Sequence, residues 1–282
     1  MAITVAYLGP AGTYTDEAMR ASAHGEILPE PRSTVFETVM AVQEGQTDRA
    51  VVPIENSLEG GVAATLDALA GEADLVRIIA EVVHPIHHCL VAATALPLEA
   101  VVRVLSHPQA TAQCARYLRQ RLPRAERISA TSTAEAVRIV GEADEHWAAL
   151  GSRLSAELYG CQVLADGVED HPGNVTRFVW LAREGDEPPV TKRPAKTSIV
   201  FWGFNDSAPG ALVDVLRELS DREINLTKIE SRPRSVRLGH YMFFADLEGH
   251  EHEPTVAQAL TALAERVETL RVLGSYPAAA GG

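Results

Sequence analysis

Short apolar runs alternate along the chain with segments whose apolar positions recur at helical spacing, and this pattern predicts an α/β protein. Ile3 to Leu8 reads as a buried strand that breaks at Gly9-Pro10-Ala11-Gly12-Thr13-Tyr14-Thr15, with a helix beginning at Asp16. Ser33 or Thr34 caps a helix carrying Val35, Val39 and Val42, which Gly45 stops. Asp48 to Val52 is a short strand that delivers Pro53-Ile54-Glu55-Asn56-Ser57, and Leu58-Glu59-Gly60-Gly61 leads into a helix from Val62 to Leu69. The apolar stretch from Val76 to Ala92, interrupted by His84-Pro85-Ile86-His87-His88, predicts a strand crossing from a first lobe to a second. There the expected strands are Val101 to Leu105, Arg127 to Thr131, Trp147 to Leu150 and Cys161 to Ala165. A helix after Ser106-His107-Pro108 carries Gln109 and Gln113 on one face; Ser132 or Thr133 caps another, and Ser152 to Leu158 forms a third.

Asn174-Val175-Thr176-Arg177-Phe178 runs straight into the apolar strand Val179-Trp180-Leu181. Strand alternation puts Asn174, Thr176 and Phe178 on one face and Arg177 on the other. Beyond Leu181 the chain turns charged and proline-rich, and 183–195 reads as an extended linker. A smaller unit follows. Strands from Lys196, Ile224, Tyr241 and Leu270 and helices from Pro209 and Pro254 give βαββαβ in about eighty residues, the ferredoxin-like pattern.

Composition narrows the function. With 282 residues, 46% hydrophobic and 22% charged, the chain has room for two or three soluble domains. A net charge of −13 argues against nucleic acid and anionic membranes as partners. It also means that an anionic substrate would need local donors. Cys89, Cys114 and Cys161 are odd in number and lack C-x-x-C spacing, which fits free thiols in a reducing compartment. No signal peptide pattern or membrane-length apolar run is visible, so the expected location is the cytoplasm. His84, His87 and His88 stand without a carboxylate or cysteine at a recognised ligand spacing, and the reading calls for no metal and no cofactor. The loop at Gly9–Thr15 and the helix start after Gly60-Gly61 offer backbone N–H groups suited to an anion.

Four segments together resemble prephenate dehydratase: Gly9-Pro10-Ala11-Gly12-Thr13-Tyr14-Thr15, Val52-Pro53-Ile54-Glu55-Asn56-Ser57, Ser106-His107-Pro108-Gln109 with Gln113-Cys114, and Asn174-Val175-Thr176-Arg177-Phe178. The tail, with Pro209-Gly210-Ala211-Leu212 and Glu230-Ser231-Arg232-Pro233, resembles that family's regulatory ACT domain. No chorismate mutase segment precedes Met1, so the likeness is to the monofunctional form. It implies a catalytic region at 1–182 made of two lobes like those of type II periplasmic solute-binding proteins, 1–76 with 166–182 and 77–165, and an ACT unit at 196–275.

The resemblance further implies that prephenate loses CO2 and its ring hydroxyl in the interlobe cleft, with phenylalanine as allosteric effector. Thr176 would donate to the departing oxygen. Thr13, Asn56, Ser57, Ser106, Gln109, Gln113, Asn174, Arg177 and Phe178 would bind substrate. Arg177 reads equally as a structural ion pair, Glu55 as structural, and His107 as a backbone-bonded histidine. Gly210, Ala211, Leu212, Asn225, Leu226, Glu230, Ser231 and Arg232 would receive phenylalanine, Gly210 permitting close backbone approach, in a homodimer or homotetramer formed through ACT units. Arogenate dehydratase and a non-catalytic amino-acid sensor are the alternatives.

Overall fold

Three β-sheets organise the chain. A computed structural model describes residues 2–143, 145–186, 194–204, 208–234 and 239–279. The first lobe contains β1 (Ile3–Leu8), α1 (Tyr14–Ser22), β2 (Ile27–Arg32), α2 (Val35–Gln43), β3 (Arg49–Asn56), β4 (Gly60–Gly61), α3 (Ala63–Ala70) and β5 (Val76–Pro85). The second contains β6 (Cys89–Ala92), β7 (Arg103–Ser106), α4 (Pro108–Gln113), α5 (Ala115–Arg121), β8 (Glu126–Ser129), α6 (Thr133–Gly141), β9 (Trp147–Gly151), α7 (Arg153–Leu158) and β10 (Gln162–Ala165). The chain then returns as β11 (Val175–Arg183), which lies antiparallel between β3 and β5 and completes the first sheet in the order β2-β1-β3-β11-β5. The second sheet has the order β10-β6-β9-β7-β8.

Two features depart from the sequence pattern. The strand β2 is not announced by alternation, because Pro29 and Pro31 interrupt it. It sits at the sheet edge, where a proline's missing N–H costs no ladder bond. The lobe crossing falls at 86–88 and not at residue 77, since all of β5 stays in the first sheet. Both β5 and β6 are apolar, so no change of period marks the junction.

The third sheet comprises β12 (Ala195–Trp202), β13 (Leu226–Pro233), β14 (Tyr241–Glu248) and β15 (Thr269–Pro277), with α8 (Ala211–Ser220) and α9 (Pro254–Arg266). Its order, β13-β14-β12-β15, is ferredoxin-like. Residues 187–193 of the expected linker, and residues 205–207 ahead of Gly210, lie outside the described residues. Ile199 and Phe201 pack under α8 and α9, whereas Val200, Met242, Phe244, Leu273 and Tyr276 face the other way and join Ile54, Leu66, Leu69 and Ile78 in one apolar cluster. The ferredoxin-like unit therefore shares a core with the first lobe. A chain cut near Pro188 would expose that core, so truncation should lower the stability of the first lobe.

Gly274 makes this docking possible. Its φ is +151°, and a Cβ there would strike the backbone of Ile78. Gly274→Ala should lower the unfolding free energy by about 1–3 kcal/mol through overpacking, read by denaturant titration. An unchanged midpoint would mean the two strands have slack.

Candidate active site

A cleft of about 300 Å³ opens between the first two sheets. Its walls come from the start of α1 (Thr13, Tyr14, Thr15), the end of β3 (Pro53, Asn56), the start of α3 (Val62), the crossing (Ile86, His88), α4 (His107, Gln109, Gln113), the start of α6 (Thr131, Ser132, Thr133) and β11 (Asn174, Thr176, Phe178). None of the lining residues is Asp, Glu, Lys or Arg. Four helices thus begin at the cleft, and each leaves first-turn N–H groups without an intrahelical partner at the positive end of its dipole. Thr13 caps α1, Ser132 caps α6 through Glu135 N, and His107 Nδ1 accepts from Gln109 N at 3.3 Å. Those helix starts give an anion a local counterpart inside a protein of net charge −13.

Thr176 and Asn56 are register partners on adjacent antiparallel strands. Leu58 N and Glu59 N donate to Asn56 Oδ1 at 2.9 and 3.1 Å, which turns the amide nitrogen toward β11. From there Asn56 Nδ2 donates to Thr176 Oγ1 at 2.9 Å and to Asn174 Oδ1 at 2.8 Å. Since Thr176 Oγ1 already accepts, its own proton is left for a ligand. The asparagine N–H also stabilises negative charge developing on that oxygen.

Not every expected residue offers its side chain to the cleft. The hydroxyl of Thr13 is engaged, donating to Leu8 O at 2.9 Å and accepting from Asp16 N at 3.3 Å. Ser57 Oγ accepts from Val175 N and ties the two strands. Ser106 is wholly buried and donates to Leu150 O. Neither serine is among the lining residues.

Arg177 points away, as alternation requires, into a buried charge cluster under the active strand. Its Nη1 donates to Glu81 Oε2 at 3.0 Å. Its Nη2 lies 2.7 Å from Asp246 and 3.0 Å from Glu55, as ion contacts without aligned hydrogen-bond geometry. Burial alone would push the Arg177 pKa down, but Asp246, Tyr276 and Glu81 hold it above its ordinary value. Of its two readings, the structural ion pair is the one this geometry fits, and substrate contact is the one it does not. Glu55 is likewise part of the frame.

The effector residues spread over two ends of β13. Gly210 precedes α8 with φ +87°, a left-handed turn, and no atom of the chain lies within 4 Å of a Cβ built there. Arg232 pairs with Met242, which also pairs with Trp202, the strand end leading to Gly210. Asn225 and Leu226 lie at the opposite end, about 20 Å along the strand. Arg232 grips Asp67 of α3 through two 2.7 Å hydrogen bonds, and Glu230 approaches Lys228 at 3.2 Å and covers Gly61.

His88, Tyr14 and the segment 131–133 are lining residues that pattern reading did not select. The helix-cap signal at Ser132 was available; the role of a histidine in an apolar run was not. His84 pairs with Glu17 at 3.0 Å, His87 with Glu169 at 2.9 Å, and His88 turns inward to Tyr14 and Gln113. No cluster of three or more His, Cys, Asp or Glu that could hold a metal occurs among the described residues. All three cysteines are free and buried, and burial pushes the Cys89 thiol up to about 12, aided by Asp166. Among the described residues, no helix is long and apolar enough to cross a membrane.

Fold and site together define a class: a two-lobed α/β protein with a cleft between its lobes, followed by a ferredoxin-like unit. The prephenate dehydratase family model matches residues 5–186 and the ACT domain model residues 204–265. A prephenate dehydratase from Mycolicibacterium vanbaalenii is 40% identical, the match covering 97% of this chain and 90% of that one. Arogenate dehydratase 4 from Arabidopsis thaliana is 41% identical, over 98% of this chain and 68% of its own. The crystal structure of prephenate dehydratase in complex with L-Phe from Arthrobacter aurescens has a TM-score of 0.89 at 38% identity, covering 98% of this chain and 90% of that one. The chain belongs to the prephenate dehydratase family.

Proposed function

We infer that the chain is a lyase that converts prephenate to phenylpyruvate, CO2 and water, and that phenylalanine regulates it. The observation that carries the reading is the uncharged cleft in which Asn56 aligns the hydroxyl of Thr176. Prephenate loses its ring carboxylate as CO2; the electron pair left behind enters the ring and expels the ring hydroxyl. A proton or hydrogen bond to the departing oxygen lets it leave as water, and Thr176 is the donor placed for this task. Gln109, Gln113, Asn174 and the helix starts hold the side-chain carboxylate, and Phe178 bounds the ring. A tight cation at the departing carboxylate would favour the ground state, which suits a cleft without Arg or Lys. Because the lining also lacks Asp and Glu, nothing formally negative waits there for an ammonium, which favours prephenate over arogenate.

The effector residues at the two ends of β13 support a phenylalanine site built between two copies of the chain, with the ACT units pairing. Its influence has a short path to the chemistry. Asp246 reaches Arg177, the neighbour of Thr176, and Lys228 lies 3.6 Å from Glu55, the neighbour of Asn56. Phenylalanine must bind one arrangement of this interface better than another, since equal affinity shifts nothing.

Assays with prephenate and with arogenate, reading phenylpyruvate and phenylalanine respectively, test the reaction. Turnover of arogenate alone would overturn the substrate. Phenylalanine should bind the intact chain in titration calorimetry and inhibit it, and should shift sedimentation toward a dimer or tetramer. A strictly monomeric chain that still bound phenylalanine would overturn the shared site.

A further inference from the structure

A line of side-chain hydrogen bonds runs from the active strand to the lobe crossing, and backbone groups dictate its direction. Because Leu58 N and Glu59 N donate to Asn56 Oδ1, Asn56 Nδ2 is the donor end. Asn174 Oδ1 then accepts from it at 2.8 Å, so Asn174 Nδ2 donates to Gln113 Oε1 at 3.2 Å. The same Gln113 oxygen meets His88 Nε2 at 2.9 Å. Two acceptors facing each other make no bond, so His88 Nε2 must carry a proton. Across the ring, His88 Nδ1 lies 2.7 Å from Tyr14 Oη, and the two rings meet edge-on with centroids 5.6 Å apart. His88 is 2% exposed, and burial, the largest influence on it, lowers its pKa and favours a neutral ring. The Tyr14 hydroxyl faces two acceptors, His87 O at 2.8 Å and His88 Nδ1 at 2.7 Å, and its one proton is shared between them.

We propose that His88 is a positioning residue for Gln113: donating from Nε2–H, it keeps the Gln113 amide turned so that its NH2 end is the end offered to the substrate. Gln113 Oε1 holds two donors, one from β11's approach and one from the crossing, and the amide cannot rotate without losing both. Remove the His88 N–H and the amide is freer to present its oxygen, which repels a carboxylate. The Nε2 proton and the amide orientation follow from the hydrogen-bond geometry, and the neutral ring from its burial. Only the identity of the ligand rests on the prephenate reading.

Long-range ¹H–¹⁵N correlation on the full chain labelled at histidine reads the tautomer directly. Nε2–H with unprotonated Nδ1 at neutral pH is expected, and an Nδ1–H ring would overturn the proposal whether or not the chain turns over prephenate. In kinetics, H88F should lower kcat/KM by about 10- to 100-fold, chiefly through KM, the cost of unpairing one buried partner. H88Q retains an N–H that can reach Gln113 and should recover most of the loss. Within a Q113L background, adding H88F should cost less than about twofold, because the residue acts through the amide already removed. Equal losses in both backgrounds, or no loss in H88F, would overturn it. If H88F does not fold, H88Q measured with and without Q113L decides the same point.

Discussion

Thr176→Val should lower kcat by about 10²–10⁴ while prephenate affinity changes far less. Valine keeps the branched shape and the strand position opposite Asn56, so β11 stays in register with β3. What disappears is the hydroxyl whose oxygen accepts from Asn56 Nδ2 and whose proton faces the cleft. Binding rests mainly on helix starts and amides elsewhere in the wall, which is why the loss concentrates in kcat. Asn56 Nδ2 keeps Asn174 Oδ1 at 2.8 Å and Val175 O at 3.2 Å as acceptors, so stability should fall by no more than about 1 kcal/mol, which a paired denaturant titration checks. Thr176→Ser restores both donor and acceptor and should recover most of the rate. A valine variant with kcat near that of the parent would remove Thr176 from the reaction.

Arg177→Leu should be the most destabilising single change, lowering the unfolding free energy by about 3–5 kcal/mol. It leaves Glu81 and Asp246, both nearly buried, facing each other across the interface between the first lobe and the ACT unit with one cation fewer. Glu81 keeps Lys196 at 2.8 Å and Ala279 N at 2.9 Å, whereas Asp246 keeps, among the described residues, the hydroxyl of Ser198 at 2.6 Å. The pH dependence has a definite sign. Burial alone would raise the Glu81 pKa, but Lys196, Ala279 N and Arg177 hold it below its ordinary 4.5. A carboxyl depressed in the folded state stabilises above the unfolded value, and that contribution is lost as pH falls through the folded one. The deficit of the leucine variant should therefore be largest near neutrality and shrink below about 4.5. Urea titrations at several pH values read both quantities. Because this cluster joins the active strand to the ACT unit, the variant should also respond less to phenylalanine; an unchanged response would locate the coupling on β13 instead.

Much of this protein was legible in the chain. Period-2 and helical patterns are local properties, and they separated the α/β lobes from the βαββαβ tail. Cap chemistry at Thr34 and Ser132 is local too, and both residues cap as their side chains dictate. Alternation along Asn174–Phe178 separated the cleft-facing Thr176 from the inward Arg177, because a strand's two faces are determined by parity alone. The motif residues Asn56, Gln109, Gln113 and Phe178 line the cleft with Thr176.

Contacts between segments far apart in sequence leave no local trace, and those were decided only by the tertiary structure. Ser57 and Ser106 carry the right chemistry beside the right neighbours, yet their hydroxyls are used to hold β11 and β9 in place. Nothing in the pattern of Val76 to Ala92 could show that His88 would turn inward to Gln113 while His84 and His87 found carboxylates. Nor could a charged, proline-rich stretch reveal that the unit beyond it packs into the first lobe's core, with Gly274 against Ile78 and Asp246 against Arg177. Side-chain type and spacing determine which faces exist; which faces meet depends on the summed packing of the whole chain, and here that packing put the ACT unit one residue away from the chemistry.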